Sequence, residues 1–348
     1  MTAPARPAPP IDSTITDRYL TLVADSDEAG AIELVGALYG RGVPAERIIL
    51  DLIGATQRRV GELWAANEWS VAREHAATAV SERALATVAA HTTTRAPRGR
   101  ITLACVDGEW HAMPARMLAE LLRLDGWRVD FLGASVPGRH LITHLHQTGP
   151  DAVALSCMIP TRLPRAHAAI TACRATGVPV IAGGRGFGPG GRYAARLGAH
   201  AWAGSGEVAV ARLATDWPPR NVIGLPAVGT DGHLGDEEYT HLVRGRPDLI
   251  ATAMERLVAT YPAAHEYSID QTESTVEDIG HIVDFLAAAL YVGEPEIFTD
   301  FIVWTSGVLT SRGVPAVALR TGLCLIHDQL TDFPAAIAML DAAMVRLP

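Results

Sequence analysis

The sequence predicts a multidomain α and α/β protein: an N-terminal helical bundle, a central parallel α/β domain and a C-terminal all-helical domain. Three observations carry this reading. Apolar residues recur at helical spacing between Asp17 and about Ala90. Between Ile101 and about Asn221, short β-type runs alternate with helical stretches. Helical spacing then returns from about Pro247 to Pro348. The expected division is a disordered proline-alanine tail over 1–10, a bundle over 11–92, an α/β domain over 98–222 and a helical domain over 240–348.

In the bundle, Ile32, Val35 and Leu38 keep helix spacing, and so do Ile48, Leu52 and Ile53. Arg41-Gly42-Val43-Pro44 separates these two helices: glycine suits a left-handed helix end, and proline the first turn of the next helix. A third helix carries Trp64, and Ala72 to Ala90 forms a fourth. The polar stretch Thr92 to Arg100 reads as a linker.

In the central domain, strands are expected at Ile101–Val106, Arg128–Leu132, Ala152–Ser156, Val178–Ala182 and Ala201–Ala203. Helices are expected at Pro114–Asp125, Gly138–Thr148, Arg165–Thr176 and Gly190–Leu197. This alternation implies a flavodoxin-like, doubly wound parallel sheet, whose ligands sit beyond the carboxyl ends of the strands. Glu109–Pro114, Ser135, Ser156 and Gly183-Gly184 all fall there.

Ile223 to Tyr239, rich in glycine and acidic residues, reads as a second linker. Beyond it, Asp278, His281 and Phe285 share a helix face, and Phe298, Phe301 and Trp304 supply aromatic surface to the next helix. Arg312-Gly313-Val314-Pro315 repeats the wording of Arg41–Pro44, a shared way of joining antiparallel helices.

Composition narrows the function. The chain has 348 residues, is 49% hydrophobic and carries a net charge of −9, which argues against general affinity for nucleic acid. It contains no lysine, which excludes a Walker A lysine, a pyridoxal Schiff base and any lysine nucleophile. Its four cysteines form no CxxC pair, so neither a zinc nor a disulfide framework is expected. No signal-peptide core and no stretch of membrane-spanning length is present, and a reducing cytoplasm is the expected location.

Two short stretches carry the chemistry. Glu109-Trp110-His111-Ala112-Met113-Pro114 follows the first strand directly. A carboxylate two residues before a histidine can orient the imidazole through one nitrogen and offer the other to a metal. The loop resembles the D/E-x-H-x-x-G loop of the cobalamin-binding domains of methionine synthase and its relatives. Ser156-Cys157-Met158 and Gly183-Gly184 are similar to that family's S-x-L and Gly-Gly motifs. The resemblance covers Ile101 to about Thr215. It implies that His111 is the lower axial cobalt ligand, oriented by Glu109. It also implies that Ser156 bonds the displaced dimethylbenzimidazole tail beside Met158, and that Gly183 and Gly184 admit the nucleotide loop. Pro114 replaces the motif glycine, and Met158 replaces leucine.

The second stretch, Trp64-x9-Glu74-His75, lies in the bundle. With the downstream domain it resembles the cobalamin-dependent light sensors of the CarH/LitR type. That resemblance implies that Trp64 packs against the adenosyl group of adenosylcobalamin and Glu74 hydrogen-bonds it. His75 would ligate cobalt from above after photolysis. The whole layout is similar to the photocobilins, in which a cobalamin unit is joined to a helical domain holding a bilin such as biliverdin. On that resemblance Asp278 and His281 face the pyrrole nitrogens, Tyr267 and Trp304 stack, Arg312 meets a propionate, and Cys324 is left without a thioether.

The resulting expectation is a non-enzymatic photoreceptor that forms a homo-oligomer such as a dimer and signals to a downstream protein. Neither DNA nor a membrane is expected as a direct partner. The alternative is a corrinoid protein that carries methyl groups for partner methyltransferases.

Overall fold

The computed structural model describes residues 10–91, 98–215, 217 and 237–347. Most of the expected tail, residues 92–97 of the first expected linker and residues 223–236 of the second lie outside them. Among the described residues, no helix is long and apolar enough to cross a membrane.

The chain divides into two compact units. The first begins with α1 (Ser13–Ala24), capped by Asp12, whose carboxylate accepts from the Ile15 N–H. Next is α2 (Glu28–Gly40), capped in the same way by Asp27. Gly42 then takes φ +83, and Pro44 precedes a continuous helical run. That run comprises α3 (Ala45–Arg47), a π-helical segment (Ile48–Gly54) and α4 (Ala55–Ala65). Ser70 caps α5 (Val71–Ala90).

The bundle therefore has four rods, but not the four expected. The Ile48–Ile53 and Trp64 segments, expected as separate helices, form one rod, and α1 is the additional one. Ile48, Ile49, Leu52 and Ile53 are all fully buried, and the wider π turn narrows the arc over which they lie.

The sheet belongs to the same unit. Its strands are β1 (Gly99–Val106), β2 (Trp127–Val136), β3 (Ala152–Ser156), β4 (Val180–Gly183) and β5 (Ala201–Ala203). They are parallel and ordered β2-β1-β3-β4-β5, the doubly wound order with its switch between β1 and β3. The connections carry α6 (Met113–Leu124), α7 (Gly138–Thr148), α8 (Leu163–Ala175) and α9 (Arg192–Arg196). After β5 comes α10 (Gly206–Thr215), a helix that the sequence reading missed.

Bundle and sheet share packing through α6. Met113 and Leu121 of α6 join the bundle core, while its Ala115, Ala119 and Leu122 join the sheet core. A Cβ on Gly54 would come within 2.8 Å of Met117 Cε, so the π segment seats closely on this helix.

The second unit holds residues Cys157–Thr171, Arg185–Ala199 and the C-terminal helices. These are α11 (Glu237–Thr260), α12 (Ile269–Val292), α13 (Glu296–Ser311), α14 (Ala316–His327) and α15 (Pro334–Arg346). Pro247, the expected start of helical structure here, lies inside α11. A Ser268–Gln271 capping box starts α12, and Gly293 at φ +72 ends it.

Candidate cobalamin site

The β1–α6 loop is pinned at both ends. Glu109 N–H donates to Val106 O at 2.9 Å, and Pro114 stands in the first turn of α6. β2 shifts register against β1 near Ala104, which brings Ser135 to the loop with φ +47. Ser135 N–H donates to Glu109 O at 2.8 Å, and Gly108 N–H donates to Ser135 Oγ at 3.0 Å.

This frame buries the Glu109 side chain completely and leaves that of His111 58% exposed. Glu109 Oε1 accepts from the His111 backbone N–H at 2.9 Å and from Nδ1 at 2.6 Å. A buried carboxylate is tolerated when paired in this way. With Nδ1–H directed at Glu109, the imidazole lone pair resides on Nε2, the nitrogen a metal would take.

Ser156 and Gly183 sit opposite each other at the ends of β3 and β4, and Cys105 of β1 is the register partner of Ser156. Burial pushes the Cys105 thiol up to about 12; Glu109 adds to the rise, and a Ser156 hydrogen bond opposes it. A Cβ on Gly183 would meet only Ala203 O, at an ordinary 3.4 Å, so the sheet itself does not demand glycine here. Gly184 does need to be glycine, with φ +102. Both positions fit a backbone kept open for a ligand. Met158 follows in the segment Cys157–Thr171 of the second unit.

On α5, Glu74 Oε2 is hydrogen-bonded to His75 Nδ1, and the His75 side chain is 74% exposed. The two histidines are thus prepared alike, each with Nδ1 on a carboxylate. Trp64 is half-buried on α4. Both α5 and the π segment pack against α6, whose N-terminus carries the His111 loop. Sequence reasoning missed the side chains behind Glu74, namely Thr78, Gln57, Ser81 and Tyr19, which come from three helices. No local spacing announces them.

In the second unit, Phe285 and Phe301 stack with centroids 3.7 Å apart, and Trp304, 49% exposed, lies 6.3 Å from Phe301. Asp278 keeps an open surface, yet the protein crowding its carboxyl raises its pKa. His281 and Arg312 pull the other way, and Glu277 adds to the rise. His281 and Arg312 thus both lie within electrostatic reach of Asp278. Burial raises the Tyr267 pKa, and Tyr261 adds to the rise. Cys324, expected in an apolar helix, is exposed.

Among the described residues, no group of three or more His, Cys, Asp or Glu side chains could hold a metal ion by itself. One oriented histidine beside open glycine backbone suits a metal that brings its other ligands with it. The comparisons agree. A family model described as a B12 binding domain matches residues 99–214, and a second so described matches residues 15–88. The chain carries cobalamin-binding domains.

The HTH-type transcriptional repressor CarA of Myxococcus xanthus is 39% identical over 120 residues, which cover 33% of this chain and 41% of that one. The match thus spans about two fifths of the curated relative's length. The monomethylamine corrinoid protein of Methanosarcina barkeri aligns with a TM-score of 0.50 at 18% identity, over 58% of this chain and 97% of that chain. That likeness concerns the fold.

Proposed function

We propose that the protein is a light sensor that holds adenosylcobalamin between its helical bundle and its α/β domain. The observation that carries this reading is the pair of carboxylate-oriented histidines, Glu109–His111 at the strand ends and Glu74–His75 on the bundle. Similarity to CarA over 120 residues supports it further. Adenosylcobalamin, when bound, supplies a cobalt–carbon bond that light breaks. His111, oriented by Glu109, would hold the cobalt, while Trp64 and Glu74 would cover the adenosyl group. His75 would be the bundle residue able to meet the cobalt, and through it a light-driven change at the cofactor would be coupled to the bundle. Ser156, Gly183 and Gly184 would hold the nucleotide tail.

In the same proposal the C-terminal helices bind a bilin such as biliverdin, with Asp278 and His281 at the pyrrole nitrogens and Trp304 beside the Phe285–Phe301 stack. The output goes to a partner protein or to the oligomeric state, without direct DNA contact.

The test is spectral. Protein loaded with adenosylcobalamin in the dark changes spectrum irreversibly under green light, and His75→Ala alters the photoproduct. Co-expression with a heme oxygenase yields protein absorbing red light, and colourless protein would remove the bilin. A second reading, a methyl-carrying corrinoid protein, is favoured by the fold likeness to the Methanosarcina barkeri protein. It predicts methyl transfer with a partner methyltransferase and no light-driven requirement for His75.

A further inference from the structure

Behind Glu74 a line of polar side chains crosses the bundle. Thr78 Oγ1 lies 3.1 Å from Glu74 Oε1 and 2.9 Å from Gln57 Oε1. Gln57 Nε2 donates to Ser81 Oγ at 2.8 Å, and the Tyr19 hydroxyl donates to the same oxygen at 3.4 Å. Tyr19 and Ser81 are fully buried. Stability alone would be served as well by apolar side chains, because interior polar groups are costly unless every proton finds an acceptor.

Counting protons shows two arrangements. In the observed one, the single Thr78 hydroxyl proton faces two acceptors, Glu74 and Gln57. Ser81 receives the Gln57 amide, so of the Ser81 and Tyr19 hydroxyl protons only one finds an acceptor, in the bond between the two hydroxyls. A half-turn of the Gln57 amide exchanges Oε1 and Nε2 and keeps every contact. Tyr19 then donates to Ser81, Ser81 to Gln57 Oε1, Gln57 Nε2 to Thr78, and Thr78 to Glu74. Every hydroxyl proton is placed, and the donors all point toward the carboxylate.

We propose that Gln57 and Thr78 are positioning residues for Glu74, with the Gln57 amide as the turning element. Turned one way, it frees Thr78 to hold the carboxylate beside His75. Turned the other way, it takes the Thr78 proton for itself and releases Glu74. The relay would register in the bundle interior, at Tyr19, whether Glu74 is held. Its functional consequence rests on the cobalamin-facing role proposed for Glu74, whereas the relay itself does not.

The test uses the full chain labelled with 15N-glutamine, whose four glutamines give a sparse set of side-chain amide signals. Gln57→Leu assigns the Gln57 pair. Without cobalamin, Glu74→Ala shifts the Gln57 amide signals although no hydrogen bond joins the two side chains directly. The shift disappears in a Thr78→Val background and returns with Thr78→Ser. If Thr78→Val fails to fold, the Glu74→Ala shift on an unchanged backbone spectrum decides. Unmoved Gln57 signals, or an equal shift in the Thr78→Val background, would overturn the relay. With adenosylcobalamin in the dark, Thr78→Val weakens binding about tenfold, and Thr78→Ser restores it. Full affinity in Thr78→Val would overturn the positioning role. A wild-type chain that binds no adenosylcobalamin would instead defeat the light-sensor reading, with the amide signals still deciding the relay.

Discussion

One buried oxygen of Glu109 accepts both the backbone N–H and Nδ1 of His111, so it fixes where the imidazole stands and which nitrogen it offers. Glu109→Gln keeps the shape and removes the charge. Cobalamin affinity is expected to fall about 10–100-fold, read by absorbance titration. The melting temperature should hold, because a buried charge is lost along with its partner's pull. The thiols offer a second prediction. Burial pushes Cys105 and Cys173 each up to about 12, whereas Cys324 is exposed. Alkylation near neutral pH should label Cys324 and spare those two until the chain unfolds, as mass spectrometry would read. The raised thiols contribute stability that is full below their ordinary value of 9.0 and lost as pH rises towards 12.

Among the elements, the loops after β3 and β4 are locked together within the second unit. Gly186 N–H donates to Cys157 O at 3.0 Å, and a Cβ on Gly186 would come within 2.9 Å of that oxygen. Backbone cannot step aside as a side-chain tip can. Gly186→Ala should cost about 1–3 kcal/mol in chemical denaturation; unchanged stability would show the loops to be free. Much of the element plan was legible. Ala152–Ser156, Ala201–Ala203 and Gly138–Thr148 stand where β-type runs and flanking Gly or Pro placed them. The π segment was not legible, because its paired isoleucines read as an ordinary helix face. Nor was the passage of α11 through Pro247, a residue that normally opens a helix. Of the site, Glu109–His111 could be read from spacing, and Glu74–His75 from its resemblance to a known motif. The Tyr19–Ser81–Gln57–Thr78 line could not, because it exists only once three helices pack.

For the molecule as a whole, the division into two units is the feature that local pattern concealed. Segments following β3 and β4 are tied to the C-terminal helices inside the second unit. His167 Nδ1 meets the Tyr291 hydroxyl at 2.6 Å, and Arg196 pairs with Glu294 at 2.7 Å. Burial lowers the His167 pKa from its ordinary 6.5. A depressed value means that the neutral ring contributes stability above pH 6.5, which is lost as pH falls through the lowered value. Hydrogen exchange at the C-terminal end of α12 should therefore quicken, relative to global exchange, as pH falls below 6.5. His167→Gln should flatten that dependence. The most direct measurement of the central claim is the absorption spectrum of the adenosylcobalamin-loaded chain before and after green light, alongside His75→Ala. An irreversible change in the wild type and a different photoproduct in the variant are predicted. Identical spectra before and after illumination would contradict the light-sensing role.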